Sequence, residues 1–150
     1  MVEAADRIQA LVREGRCEGF GSVVLHYDDH SLTLYWKGTL PEEMEGLPHE
    51  LRRQVAIDVH EALYSHDELR AETHRISALE LPGLHITRVG PIGDCSGLRV
   101  SVDVENNLAR ARREIESRMR LDFDLQPPAW PAGHHKPRHR QARDVRQVQR

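Results

Sequence analysis

Residues 98–125 read LRVSVDVENNLARARREIESRMRLDFDL, and this stretch decides the fold. Leu98, Val100, Val102 and Val104 alternate with Arg99, Ser101 and Asp103, the two-residue period of a strand with one dry face. Leu108, Ala111, Ile115 and Met119 follow at helical spacing. Leu121, Phe123 and Leu125 then alternate with Asp122 and Asp124. The stretch reads strand, helix, strand.

Immediately before it, residues 84–89 predict a strand and GDCSG at 93–97 a turn, which makes the unit ββαβ. The same order occurs once earlier. Residues 19–38, GFGSVVLHYDDHSLTLYWKG, predict two strands around a polar turn of Asp28, Asp29 and His30. Leu32, Leu34 and Trp36 share one face, with Thr33, Tyr35 and Lys37 on the other. Pro41, Glu42 and Glu43 suit the first turn of a helix, and Gly46 and Pro48 interrupt it. A broken helix is expected over 41–53, with Leu40, Met44, Leu47 and Leu51 toward the sheet. Val55, Ile57 and Val59 then alternate with Ala56, Asp58 and His60.

A shift of 66 residues superimposes the two copies without a gap. It pairs Val23 with Val89, Asp28 with Asp94, Leu32 with Leu98, Glu50 with Glu116, Arg52 with Arg118 and Asp58 with Asp124. The repeated order of elements is a stronger signal than these few identities. The expected fold is α+β: two ββαβ repeats with antiparallel three-stranded sheets, each covered by a helix, joined by a helix. The antiparallel pairing assumes that the third strand of each copy returns beside the first. A copy of about 40 residues is too small to hold itself folded. The copies are therefore expected to lean on each other or on a partner.

The flanking segments complete the division of the chain. An N-terminal segment, 1–19, carries an amphipathic helix over 3–14 with Ala5, Ile8, Leu11 and Val12 on one side. The first unit spans 20–64 and the second 84–126. Between them, 65–83 forms the linking helix. Ser65 and Glu68 make a capping box there, and Leu69, Thr73, Ile76 and Leu79 form its buried side. Residues 127–150 are a Pro/His/Arg-rich tail, read as disordered.

In 150 residues, 30% are charged and 5% aromatic, so the core must be aliphatic. The net charge of −3 is unevenly spread. Lys136, Arg138, Arg140, Arg143, Arg146 and Arg150 stand against Asp144 alone, +5 for the tail and −8 for the body. Two cysteines, Cys17 and Cys95, build no disulfide framework and match no zinc spacing; whether they pair is left open. The first fifteen residues hold Glu3, Asp6 and Arg7 and no apolar run, so no signal peptide is read and a cytoplasmic location is expected. A longer precursor would imply export. No segment has the apolar length of a membrane span.

The candidate chemistry is sparse. His134, His135 and His139 cluster among Pro131, Gly133 and Pro137, which keep the stretch extended, so no built metal site is expected. Ser65, His66 and Asp67 are adjacent at a helix start, where capping accounts for them and no triad can form. Asp28 and Asp29 sit where turns favour carboxylates. No glycine-rich phosphate loop occurs, and neither a cofactor nor an enzymatic activity is expected. Two binding surfaces remain. The tail cations Lys136, Arg138, Arg140, Arg143 and Arg146 suit weak, salt-sensitive contact with nucleic acid or another polyanion. Trp130, between Pro128 and Pro131, suits anchoring in a groove, on the chain's own body or on a protein partner.

Residues 20–125 resemble the propeptides of streptogrisin and alpha-lytic-type secreted serine proteases. The resemblance lies in the order of GSVVLHYDDHSLTLYWKG (21–38), VAIDVHEALYSHDEL (55–69) and HITRVGPIGDCSGLRVSVD (85–103). It implies two small α/β lobes that act as folding assistant and tight inhibitor of a serine protease. It also implies that the second sheet and the segment after it, residues 84–133, hold that partner. Phe123, Leu125, Pro128, Trp130 and Pro131 would then be partner-binding residues.

Overall fold

The computed structural model describes residues 1–15, 18–51, 54–103 and 107–127. The chain runs α1 (Val2–Glu14), β1 (Phe20–His26), β2 (Ser31–Trp36), α2 (Glu42–Glu45), α3 (Leu47–Leu51), β3 (Ala56–Glu61), α4 (His66–Ser77), β4 (His85–Pro91), β5 (Leu98–Asp103), α5 (Leu108–Glu116) and β6 (Phe123–Gln126). It is α+β, with two three-stranded sheets ordered β1-β2-β3 and β4-β5-β6.

The duplication extends to register. Val23 faces Leu34 as Val89 faces Val100, and Thr33 faces Asp58 as Arg99 faces Asp124. The first strand of each copy carries a bulge at the same place, between Phe20 and Ser22 and between Ile86 and Arg88. A bulge re-aims side chains at one point of a strand, so its repetition marks a copied backbone rather than a copied pattern. Inside the helices the shift slips. Met44 and Leu51 are buried in the first copy, whereas Ala111 and Ile115 are buried in the second.

One expectation is corrected. The third strand of each copy lies beside the second and parallel to it, so both sheets are mixed rather than antiparallel. The reason is burial. In β2, Leu32, Leu34 and Trp36 are 0–3% exposed, and in β5 Leu98, Val100 and Val102 are all at 0%. Pairing the third strand with the first would leave this most apolar strand at an edge, with half its backbone unpaired. The crossover through a helix returns the chain in the same direction, which a parallel neighbour accommodates.

Each sheet packs its apolar face against helices. Leu32, Leu34 and Trp36 pack with Ala4, Ala5 and Ile8 of α1 and with Met44, Leu47 and Leu51 of the broken helix. Val100, Val102 and Leu125 pack with Ala111 and Ile115. Two core assignments fail. Val59 is 42% exposed on edge strand β3, and Leu108 is 41% exposed at the start of α5.

The units lean on each other. Ala62, Leu69, Cys95 and Leu98 form a joint cluster bordered by Tyr35 and Tyr64. Ser22 Oγ donates to Gly93 O at 2.6 Å, and Tyr64 N donates to Cys95 O at 3.1 Å. Gly21 is required here. A Cβ would stand 2.9 Å from Tyr35 O and 3.0 Å from Cys95 Sγ. Helix α4 begins with the expected capping box, in which Ser65 Oγ accepts from Glu68 N and Glu68 Oε2 accepts from Ser65 N. Lys37 Nζ donates to the same carboxylate at 2.6 Å. That ion pair and the Ser65 amide hold Glu68 below the usual glutamate range.

Glu72 is buried on α4, where the apolar periodicity had marked Thr73 and Leu79. Its Oε2 accepts from Arg75 Nε at 2.8 Å and its Oε1 from Arg120 N at 2.7 Å. It thereby ties α4 to the approach to β6. The Arg75 guanidinium, then the Arg120 amide, lower its pKa from 4.5 against the cost of burial. A depressed folded pKa means stability that is present above pH 4.5 and lost as pH falls through the folded value. Glu72→Gln is expected to cost about 2 kcal/mol at neutral pH. In urea titrations at a series of pH values, the gap between variant and wild type should narrow as pH falls below 4.5 and through the lowered folded pKa of Glu72.

Candidate functional site

The second sheet offers an edge and a face. Edge strand β6 begins at Phe123 and the chain leaves it at Pro127; no strand pairs beyond it among the described residues. Its approach is held from three sides. Arg75 Nη2 donates to Arg118 O, Glu72 accepts the Arg120 amide, and Tyr64 Oη donates to Asp122 Oδ2 at 2.8 Å. The Asp122 carboxylate raises the Tyr64 pKa, so the phenol keeps the proton it donates. Asp122 O accepts from Leu98 N at 2.9 Å, the first rung of the parallel pair. The edge is thus presented by groups from both copies.

The face is polar. Register places Arg88 opposite Ser101, and Gly90 and Asp124 on either side of Arg99. Arg99 Nε lies 3.9 Å from Asp124 Oδ2, both side chains about half exposed, a geometry that adds little stability. Gln126 Nε2 donates to the same Asp124 oxygen at 3.1 Å. Arg88 is exposed, and its side chain makes no ion pair among the described residues.

Of the expected partner-binding residues, Leu125 is 6% exposed and occupied by the core with Val100 and Ile115. Phe123 is half-buried, with Arg112 Cζ 6.0 Å from its ring centre. Pro128, Trp130 and Pro131 lie outside the described residues, as do Cys17, the three tail histidines, and Lys136, Arg138, Arg140, Arg143 and Arg146. Tyr64, Glu72 and Arg75 were not singled out in sequence, because each acts on residues more than 40 positions away. Arg99 was legible only as a polar position in an alternating strand.

Asp29 and Asp94 each accept at Oδ1 from the amide two residues on, Ser31 N at 3.1 Å and Ser96 N at 3.0 Å. Both acids therefore serve their turns, as the turn chemistry requires. The Cys95 thiol is free, buried and raised in pKa by that burial. An open depression of about 610 Å³ follows α4, lined by Leu79, Leu81, Leu84 and His85 among others. Among the described residues, no three His, Cys, Asp or Glu side chains converge as metal ligands, and no helix is long and apolar enough to cross a membrane. No family model, curated protein or solved structure matches this chain.

Proposed function

We propose that the chain is a non-catalytic protein-binding module of the protease-propeptide kind, an inhibitor or folding assistant. It holds its partner along the outer edge of β6 and through the Pro-Trp-Pro segment that leaves that edge. The observation that carries this reading is the edge of β6, which no strand pairs among the described residues and which Tyr64, Glu72 and Arg75 brace. An extended partner segment gains main-chain hydrogen bonds by pairing with such an edge, at little cost when the edge is already rigid. Trp130 follows within a few residues, close enough to fill a pocket on the same partner.

The test is complex formation with, and inhibition of, a secreted serine protease of the streptogrisin or alpha-lytic type. Three chains are compared: full length, a truncation after Gln126, and Trp130→Ala. The full chain should inhibit. Trp130→Ala should weaken inhibition about 30-fold, the loss of one anchor worth about 2 kcal/mol. A full chain that neither binds nor inhibits overturns the protease reading, and equal binding by all three removes the exit segment from the interface.

A further inference from the structure

The contact between the two units is a turn seated on a sheet face. The turn at 92–97 lies over the outer face of the first sheet. Ser22 bonds to Gly93, and Val24 Cγ2 is 4.0 Å from where a Gly93 Cβ would stand. Thr33, on that face, is only 7% exposed. Because the strands are duplicated in register, each copy owns one such face and one turn between its first two strands, although the turns differ by one residue, with the positive φ at His30 in the first and at Cys95 in the second. The internal contact uses the second turn and the first face. It leaves over the first turn, Tyr27 to His30, and the outer face of the second sheet.

Both leftovers are bare. Tyr27 is 66% exposed, and Asp28 and Asp29 stand beside it in solvent. On the second face, Arg88 and Arg99 occupy the positions that Ser22 and Thr33 hold in the first, and Arg99 is 53% exposed where Thr33 is covered. A Cβ at Gly90 would meet nothing within 4 Å, so the centre of the face is open. The charges are complementary. The turn's two carboxylates are opposite in sign to Arg88, which makes no ion pair among the described residues, and to Arg99, which Asp124 offsets at 3.9 Å; Asp103 stands at the end of the same face, opposite His85. The frame does not require these arginines, since Ser22 and Thr33 satisfy the same register.

We propose that copies of this chain associate head to tail, the Tyr27–Asp29 turn of one copy seating on the Arg88/Arg99 face of the next. The contact is heterologous, so it builds a ring or an open chain rather than a symmetric dimer. It is shallower than the internal one, because Thr87 carries a side chain where Gly21 has none. The cationic tail is a poor cover for a face that already holds two arginines. This interface uses the face of the sheet and leaves the β6 edge free, so it goes beyond the partner-binding reading and stands or falls apart from it.

Sedimentation velocity on the full chain tests it, over a wide concentration range and at two salt concentrations. The mass should rise above 17.2 kDa with concentration. Raising salt from about 0.05 M to about 0.5 M should weaken association at least threefold. Two conservative variants remove one surface each. Arg88→Ser with Arg99→Thr copies the first unit's residues, and Asp28→Asn with Asp29→Asn keeps the turn's acceptor oxygens. Each alone should stay monomeric, and an equimolar mixture should form a 1:1 heterodimer and nothing larger, since one live turn meets one live face. Either variant that still self-associates overturns the proposal, as does a mixture that stays monomeric or a wild type that remains monomeric throughout. A truncation after Gln126 that associates where the full chain does not also overturns it, by identifying the tail as the cover. Protease inhibition by the Asp28/Asp29 variant, altered only in the first unit, should be unchanged, which separates this outcome from failure of the β6-edge reading.

Discussion

Ile115→Ala lowers the stability of the whole chain, not of the second unit alone, by about 3–4 kcal/mol. Ile115 is 0% exposed and packs with Val100, Val102, Ala111 and Leu125. Truncation removes three carbons from a site whose sheet and helix are fixed by hydrogen bonds, so the cavity cannot collapse. Natural domains have about 5–15 kcal/mol in total, which makes this a large fraction. The loss spreads because the units share the cluster around Cys95 and Leu98. Trp36 is the reporter. It lies in the first unit at 3% exposure, its Nε1 donating to Thr39 O at 3.1 Å. In a Trp130→Phe background, urea unfolding followed by Trp36 fluorescence and by far-ultraviolet circular dichroism should give coincident midpoints, both shifted downward. A Trp36 transition that keeps its original midpoint would show two independent lobes.

Gly97→Ala should cost about 3 kcal/mol and detach β6. An added Cβ would sit 2.8 Å from the Asp122 carbonyl carbon and closer still to its oxygen. Both neighbours are backbone, so no rotamer change relieves the clash. That same oxygen accepts from Leu98 N, so relief means breaking the first rung between β5 and β6. The Tyr64 to Asp122 bond would move with it. Amide hydrogen exchange should show loss of protection over 123–126, while 20–36 stays protected; unchanged protection in β6 would show that the turn absorbs the added methyl. Because β6 is the proposed binding edge, partner capture should fall in parallel with its protection.

Much of this fold is legible from local chemistry. The strand–helix–strand reading of 98–125 rests on two periods, the helix break at Gly46 on glycine and proline, and the Ser65 cap on spacing. All are interactions within a few residues, which the order of side chains encodes directly. The 66-residue duplication, read from a handful of identities, extends to paired bulges because copied strands keep the same backbone demands.

The place of the third strand in each copy is different. Periodicity says that β3 and β6 are strands but not whose neighbours they are. That is decided by which strand gains most from two partners, a comparison among all three at once. The burial of Glu72 likewise depends on Arg120, 48 residues on, and the partner of Ser22 is Gly93, 71 residues away. By itself, the sequence determined the elements, their order, their duplication and the polarity of each face. Tertiary structure alone decided which edge and which face were left uncovered. Exposure is a property of what else packs nearby, and no local run of residues carries that information.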